Sequence, residues 1–229
     1  EEAREEVVRP PPPVRPPFGD LLEHDRVDRR RRALQRRVAP PAPGETAVVY
    51  GCGSLGVLTV LLLRALFPKT RLLVIGHSRR EKPLADRLGA DALFTSRGRE
   101  LIREIGEFVK APLRMPLFGL PWLQSGVQRI YDTVGSSETL EVGVRIASPR
   151  ATIVMVGVAR PQRFEWTPLY FKELALLGSN SYGLETIEGK RSNCIEIYLD
   201  LLARDRLDVG GLITHRYPLE RYADAFLAA

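Results

Sequence analysis

The stretch that decides the fold is residues 47–80, AVVYGCGSLGVLTVLLLRALFPKTRLLVIGHSRR. It contains a short apolar run, the pattern Gly51-x-Gly53-x-x-Gly56, an apolar segment of helical length and a second short apolar run. A strand, a glycine-rich turn, a helix and a second strand in this order predict a βαβ unit. The glycines then lie at the first turn of that unit, where such motifs bind phosphate groups.

The residues of this turn have separate tasks in a dinucleotide site. Gly51 permits the tight turn, Gly53 lets the backbone approach a pyrophosphate, and Gly56 lets the helix lie close to the strand. Ser54 and Leu55 complete the turn before the helix, whose free N–H groups point at the phosphates. The turn therefore predicts a bound dinucleotide, and an ordinary glycine-rich turn is the alternative interpretation.

The end of the second strand predicts which dinucleotide binds. Gly76 lies about 20 residues beyond the last glycine, where an NAD-binding unit places Asp or Glu on the ribose 2′-hydroxyl. A carboxylate about 5 Å from a 2′-phosphate would cost roughly 3 kcal/mol per unit of charge at an effective dielectric near 20, and Gly76 removes that repulsion. Arg79 or Arg80 can pair with the phosphate, so the sequence favours NADP over NAD. Ser78 adds a hydrogen-bond donor, and His77 beside it is better placed for binding than for proton transfer.

Two other interpretations of this stretch remain open. Ser78-x-x-Glu81 fits a capping box that opens the next helix, with the arginines as solvated charges, and this role is compatible with phosphate binding. An S-adenosylmethionine site also has glycines after its first strand. Such a site usually has an acidic residue at the end of the second strand, and this sequence has none there.

The composition indicates one α/β domain with an N-terminal arm. The chain has 229 residues, is 44% apolar and carries a formal charge of +6. Seven arginines and one aspartate within residues 26–37 account for that charge, so the remainder sums to zero. Half of the 18 prolines lie within residues 1–43, where apolar periodicity is absent. We expect a disordered or extended Pro/Arg-rich arm over residues 1–43 and a dinucleotide-binding domain over residues 44–229.

The arginine run and the cysteines indicate whether the chain binds nucleic acid and in which cellular compartment it lies. The arginine run has no interleaved aromatic residue and no known reading motif, so we do not expect specific nucleic-acid binding. Cys52 and Cys194 cannot form a disulfide framework, which fits a cytoplasmic protein, and Cys52 is interpreted as a small filler of the glycine turn. No signal peptide opens the chain and Arg64 interrupts the longest apolar run, so we expect no membrane span. The first residue is Glu rather than Met, which suggests a fragment.

Strand and helix patterns alternate along the rest of the chain, which predicts an α/β fold. We expect a Rossmann-type, doubly wound parallel sheet of six strands in the order 3-2-1-4-5-6. The expected strands are residues 47–50, 72–75, 92–95, 129–134, 151–156 and 174–177. The expected helices are residues 57–67, 97–108, 137–146, 187–206 and 219–227. The proline-containing residues 110–124 are expected to form a surface excursion.

The first expected helix, residues 57–67, is apolar almost all round. A helix with one face in water should show a polar stripe, and this one shows little of it. We therefore expect a second partner besides the sheet, in a neighbouring domain or segment.

Several spaced segments beyond the glycine turn carry a family resemblance. They are YDTVGSSETLEVGVR at 131–145, VMVGV at 154–158, FEWTPLYFKELALLGSNSYG at 164–183 and GLITHRYPLERYADAF at 211–226. Together with GETAVVYGCGSLG at 44–56, they resemble the cofactor domain of the medium-chain, zinc-dependent alcohol dehydrogenase family. The resemblance implies hydride transfer between a nicotinamide and a small alcohol or carbonyl, with a homodimer as a common assembly. A dinucleotide-binding module or fragment without chemistry is the alternative.

The resemblance also implies cofactor contacts at the later strand ends. Residues on the adenosine side follow the fourth strand and are Thr133, Val134 and Gly135. Residues that hold the nicotinamide ring follow the fifth strand and are Val156, Gly157 and Val158. Residues that face its carboxamide are Ser179 and Ser181. Ligands of open parallel sheets lie outside the carboxyl ends of the strands, which agrees with these positions, although strand packing also explains the valines.

The family's catalytic zinc site has no counterpart in this sequence. Family members bind that zinc with a Cys, a Gly-His-Glu motif and a further Cys or Asp, and an open fourth position is needed to polarise an alcohol oxygen. The histidines here are His24, His77 and His215, none in such a motif, and there is no C-x-x-C cluster. We therefore expect neither catalytic residues nor metal ligands in this chain. Asp132 is expected to end its strand and cap the next helix.

Overall fold

The computed structural model describes residues 39–160, 163–180, 183–187, 189–210, 212 and 215–228. The strands are β1 (Thr46–Tyr50), β2 (Arg71–Ile75), β3 (Ala92–Phe94), β4 (Leu113–Arg114), β5 (Trp122–Leu123), β6 (Val127–Asp132), β7 (Ala147–Met155), β8 (Ala175–Gly178), β9 (Leu184–Ile187) and β10 (Lys190–Asn193). The helices within those residues are α1 (Ser54–Leu66), α2 (Lys82–Arg87), α3 (Gly98–Val109), α4 (Ser137–Ile146), α5 (Thr167–Phe171), α6 (Cys194–Ala203) and α7 (Tyr222–Ala228). Short 3-10 turns precede α2 at Arg79–Glu81 and α7 at Leu219–Arg221.

The central sheet has six strands in the order β3-β2-β1-β6-β7-β8, all parallel. Numbered within the sheet, this order is 3-2-1-4-5-6, so the predicted doubly wound topology is confirmed. Strand β1 pairs with β2 on one side and with β6 on the other. The glycine turn after β1 therefore leaves the sheet where the strand order reverses, which is where such sheets bind ligands.

Both faces of the sheet are covered, because successive side chains of a strand point to opposite faces. In β1, Val48 belongs to the apolar cluster that contains Leu101 of α3, and its neighbour Val49 belongs to the cluster that contains Val60 of α1. All of these side chains are buried. This two-sided burial explains why the strands are continuous apolar runs in the sequence.

Helix α1 has its second partner within the chain. Leu201 of α6 and Leu207 after it belong to the same buried cluster as Val60 of α1. Arg206 also donates a hydrogen bond of 2.8 Å to the carbonyl oxygen of Ala65. A second partner of α1 besides the sheet is therefore a later segment of this chain, α6 and the residues after it, which share its buried cluster.

The helix expected over residues 187–206 is shorter than predicted. The antiparallel strands β9 and β10 occupy its first part, and α6 begins at Cys194. Asn193 sets that start, because its side chain accepts a hydrogen bond of 2.9 Å from the Ile195 N–H and forms a capping box with Glu196. The chain before Asn193 is therefore free to pair as a hairpin.

The excursion between α3 and β6 is exposed in its middle part, as predicted, but its end at Leu123 is fully buried in the core. Its strands β4 and β5 form an antiparallel pair of two residues each. Leu117 and Phe118 between them are 96% and 91% exposed.

Contacts with the sheet begin before residue 44. Ala39 is buried, and its carbonyl oxygen accepts a hydrogen bond of 2.8 Å from the Tyr131 hydroxyl. The Arg129 Nε donates to the carbonyl oxygen of Pro40 at 3.3 Å. Residues 39–43 of the predicted arm thus lie against the fold, and the arm before them lies outside the described residues.

Candidate dinucleotide-binding site

A cleft of about 300 Å³ opens at the carboxyl ends of β1, β2, β3 and β6. The residues that line it are Tyr50, Gly51, Cys52, Gly53, Ile75, Gly76, His77, Glu81, Ser96, Arg97, Val134, Ser136, Glu138 and Thr139. It occupies the position that the switch-point rule predicts for a bound dinucleotide. The sequence prediction included five of these residues as cofactor ligands: Gly51, Gly53, Gly76, His77 and Val134.

The three glycines of the turn have different surroundings. Gly51 has a φ of +109°, and a Cβ atom there would lie 2.5 Å from the Thr133 Oγ1. A Cβ on Gly56 would lie within 3.0 Å of the carbonyl oxygen of Gly51. A Cβ on Gly53 would meet no atom within 4 Å of it among the described residues. Gly51 and Gly56 are therefore required by the backbone, whereas Gly53 leaves room for a ligand.

The N-terminus of α1 is open to an anion. Its N-cap residue is Gly53, no side chain caps it among the described residues, and its first turn contains no acidic residue. Ser54 and Leu55, the first two residues of the helix, are exposed. The first N–H groups of a helix have no partner within the helix, and the helix dipole favours negative charge there. This terminus can hold a pyrophosphate without displacing another group.

The 3-10 turn Arg79–Glu81 is capped by its own residues. The Glu81 Oε2 accepts hydrogen bonds from the N–H groups of His77 and Ser78, at 2.8 and 3.3 Å. The Ser78 Oγ accepts one from the Arg80 N–H at 3.2 Å. The capping box in the sequence is thus confirmed. It brings the Glu81 carboxylate into the lining of the cleft.

The positive charge in the cleft comes from a residue that the sequence analysis missed. Arg79 and Arg80 are exposed and do not line the cleft, nor does Ser78. Arg97 lines it, with Nη2 at 2.6 Å from the His77 Nδ1 and Nη1 at 3.4 Å from the Glu138 Oε1. The available signal was its position, because Arg97 follows the third strand and ligands lie outside the carboxyl ends of strands.

Buried Asp132 organises the loop after β6. Its carboxylate accepts hydrogen bonds from the N–H groups of Val134 and Gly135, at 3.0 and 2.8 Å, and from the Thr139 hydroxyl at 2.7 Å. Burial raises the pKa of Asp132, although these hydrogen bonds oppose the shift. The expected helix cap is supplied by Ser136 instead, whose side chain accepts from the Thr139 N–H. Asp132 ends its strand and orders the loop.

The loops after β6 and β7 contact each other through backbone. A Cβ on Gly135, whose φ is +71°, would lie within 3.0 Å of the carbonyl oxygen of Gly157. A Cβ on Gly157 would lie equally close to the carbonyl oxygen of Thr133. The Thr133 hydroxyl donates to the carbonyl oxygen of Tyr50 at 2.8 Å, which ties this pair of loops to the glycine turn. Val158, at the end of the second loop, is 89% exposed.

A second cavity, of about 230 Å³, is lined by two of the residues predicted for the nicotinamide end. Val156 and Ser179 line it together with apolar side chains of α1 and α6, such as Leu62 and Ile197. Ser181 lies outside the described residues. Five of the predicted cofactor residues therefore line the cleft and two line this cavity, whereas Gly157, Val158 and most of the others line neither.

Two ionisable groups beside the glycine turn are held in their neutral forms. Burial raises the pKa of the Tyr50 hydroxyl to about 12, and the Glu138 carboxylate adds to the shift. Burial also raises the pKa of the Cys52 thiol, with the Glu81 carboxylate as the second cause. A thiol with a raised pKa is a poor nucleophile, which agrees with the interpretation of Cys52 as filler.

The described residues do not fit a zinc site. Among them no group of three His, Cys, Asp or Glu side chains is placed to hold a metal ion. The same part of the chain contains no helix that is both long and apolar enough to cross a membrane.

Comparison with known proteins shows the family. Residues 54–203 match the family model described as zinc-binding dehydrogenase. Sorbitol dehydrogenase of Mus musculus is 26% identical over 188 residues, which are 81% of this chain and 46% of that protein. This chain spans about half the length of the curated relatives it matches.

Solved structures show the same fold. An alcohol dehydrogenase of Escherichia coli with bound NADH matches with a TM-score of 0.65 at 21% identity, over 83% of this chain and 52% of that one. A zinc-binding dehydrogenase of Sinorhizobium meliloti with bound NADP matches with a TM-score of 0.53 at 24% identity, over 77% of this chain and 47% of that one. These likenesses agree with the observed Rossmann sheet, and the family model covers more than half of the chain. The chain therefore belongs to the medium-chain family of zinc-binding alcohol and polyol dehydrogenases.

Proposed function

We propose that this chain binds a nicotinamide dinucleotide and is the cofactor domain of an alcohol or polyol dehydrogenase. The observation that carries the proposal is the open N-terminus of α1 beside the glycine turn. Family membership supports it, because a matched relative is a sorbitol dehydrogenase and a matched structure holds NADH. A bound nicotinamide supplies the hydride chemistry, and the residues of this chain bind and orient it.

Five of the predicted residues have a specific role in this proposal. The N–H groups at Ser54, Leu55 and Gly56 hold the pyrophosphate, because they lie at the positive end of the α1 dipole. Val134 and its loop border the adenosine in the cleft. Ser179 lies at the cavity proposed for the nicotinamide end.

The substrate belongs to the longer protein in this proposal. A small alcohol or carbonyl is the proposed substrate class, because the matched relatives act on such compounds by name. The described residues hold no zinc site, so they are given no part in polarising the substrate. The chain by itself is proposed to bind cofactor without alcohol turnover.

The choice between NAD and NADP depends on the charges around the adenosine ribose. The sequence prediction of NADP relies on Gly76, Arg79 and Arg80. The two arginines do not line the cleft, whereas Arg97 and Glu81 do. A cation and an anion of this chain therefore both border the proposed ribose position.

The compartment and the assembly are further parts of the proposal. Cys52 and Cys194 are free thiols, as in proteins of a reducing cytoplasm. Strand β8 is an edge of the sheet, with Leu176 exposed, and it offers a pairing edge for a homodimer.

The test is calorimetric titration of NAD and NADP into the 229-residue chain and its Gly53→Asp variant. We expect binding by the original chain and a loss on the order of a hundredfold in the variant, because the carboxylate would cap α1 and repel the pyrophosphate. Since a side chain at Gly53 meets open space, the thermal midpoint should not fall. Ala42→Asp is the control, with the same charge change at an exposed residue outside the cleft. Failure of the original chain to bind either cofactor would contradict the proposal.

A further inference from the structure

The Glu81 carboxylate occupies the space beside Gly76 in the cleft. A Cβ atom on Gly76 would lie within 3.0 Å of the Glu81 Oε2. An Asp or Glu at position 76 would therefore have its side chain where the carboxylate of Glu81 already lies. The chain lacks an acidic residue at the end of β2, but it places an acidic group there from the 3-10 turn.

The hydrogen bonds of this carboxylate use the donors that an anion would need. Its Oε2 accepts from the N–H groups of His77 and Ser78. A 2′-phosphate at this end of β2 would have to displace Glu81 to reach those two groups. Among the described residues none donates to the other oxygen, Oε1, so it is available to accept a hydrogen bond from a ribose hydroxyl.

The other charges in the lining of the cleft do not cancel the repulsion between Glu81 and a 2′-phosphate. Among the described residues, Arg97 is the one arginine in the lining, and its guanidinium already contacts Glu138 and His77. Glu81 acts electrostatically within the cleft, because it contributes to the raised pKa of Cys52 in the glycine turn. The ribose end of the cleft thus contains two carboxylates, Glu81 and Glu138, against one guanidinium.

We propose that Glu81 determines the cofactor preference by accepting the ribose hydroxyls and excluding a 2′-phosphate, so that the cleft selects NAD over NADP. This inference rests on the proposed function of the cleft. It reverses the preference predicted from Gly76 and the two exposed arginines. The specificity group comes from the turn after the strand and not from the strand end itself.

The test compares NAD and NADP affinities by calorimetry for the full chain and Glu81→Gln. The original chain should bind NAD at least on the order of tenfold more tightly than NADP, because a phosphate beside a carboxylate is repelled. Glu81→Gln keeps an oxygen acceptor for the capping box and removes the charge. It should weaken NAD, strengthen NADP and reduce the preference by about tenfold.

Asp86→Asn is the matched control. Asp86 is an exposed carboxylate of α2 that pairs with Lys82 and does not line the cleft. The same loss of one negative charge there should leave the ratio of the two affinities unchanged.

A second variant moves the carboxylate to the strand end. Gly76→Asp combined with Glu81→Ala frees the space that Glu81 occupies and places an acidic group at position 76. This double variant should recover the NAD preference that Glu81→Gln loses. Thermal midpoints of all variants report whether the fold is kept.

The outcomes separate this inference from the proposed function. If the original chain binds neither dinucleotide, the proposed function fails and the inference with it. If the chain prefers NADP, or if Glu81→Gln leaves the ratio of affinities unchanged, the inference is overturned while the binding function stands.

Discussion

The N-terminus of α1 and the N-terminus of the 3-10 turn Arg79–Glu81 border the same cleft, but only the second carries an anion of its own. The third residue of each turn makes the difference. It is Gly56 in α1 and Glu81 in the 3-10 turn. Where this residue is glycine, the N–H groups stay available for a ligand, and where it is glutamate, they are satisfied within the chain. One terminus is thus proposed as a phosphate-binding site, and the other as the source of the specificity group.

The largest expected effect comes from adding one methyl group at the open terminus. Gly56→Ala places a Cβ within 3.0 Å of the Gly51 carbonyl oxygen, so strand and helix must separate. We expect a loss of about 3 kcal/mol in the free energy of unfolding, measured by urea denaturation, together with lost dinucleotide binding. Gly53→Ala is the control, because its Cβ meets open space, and it should change stability by less than about 1 kcal/mol. Equal losses in the two variants would show that the turn is not as tight as described.

The next test concerns the C-terminus of α4, where the Lys172 side chain donates hydrogen bonds to backbone carbonyl oxygens. The buried Lys172 ammonium donates to the carbonyl oxygens of Val144, Arg145 and Ala147, at 3.2, 2.8 and 2.7 Å. Lys172→Met should lower the free energy of unfolding by about 2 kcal/mol at neutral pH, because it leaves these acceptors unpaired. Lys172→Arg is the control that keeps a cation at the position.

The same lysine predicts a pH dependence. Burial, and secondly the Arg145 guanidinium, lowers the pKa of Lys172 to about 7 from 10.5. Between these values the unfolded chain binds more protons than the folded chain, so the contribution of Lys172 to stability should increase as pH rises through this window. The difference between the original chain and Lys172→Met in urea denaturation should widen from pH 7 to pH 10. A difference that is flat or shrinks would contradict the lowered pKa.

The smallest effect is expected from removing the Ser78 side chain, which caps the 3-10 turn together with Glu81. Ser78→Ala removes the hydrogen bond to the Arg80 N–H but keeps the Glu81 carboxylate beside Gly76. Stability should fall by about 1 kcal/mol, as for a lost N-cap, in thermal or urea unfolding. The ratio of NAD to NADP affinity should stay unchanged, in contrast to Glu81→Gln. A changed ratio would mean that the whole capping box, and not the carboxylate alone, sets the preference.

The order of the sheet could be predicted because its signals are local. The inner strands β1 and β2 are buried on both faces and appear as apolar runs, and the glycines mark the turn after the first. The start of α6 was missed, because the preceding hairpin depends on pairing between β9 and β10. The contact of α1 with α6 was not predicted, because α6 lies more than a hundred residues further along the chain.

The residues of the candidate site also fall into two groups, those that local sequence patterns predicted and those that depend on the fold. The glycine turn was predicted together with a role for each glycine, because each role follows from the absence of a side chain at a known point of a βαβ unit. Arg97 was not predicted, because its position after the third strand does not by itself show that its side chain meets His77 from another strand end. Arg79 and Arg80 were predicted from proximity in sequence, but the 3-10 turn leaves them exposed outside the lining of the cleft.

The sequence by itself determined the glycine turn, the doubly wound sheet and the family, because these depend on residue types at short, regular spacings. The tertiary structure alone decided the charges that line the cleft. Gly76 removes a carboxylate from the strand end, and the capping box returns one to the same space from Glu81. A one-dimensional pattern shows which residues are present, whereas electrostatic repulsion depends on the distances between atoms that folding brings together.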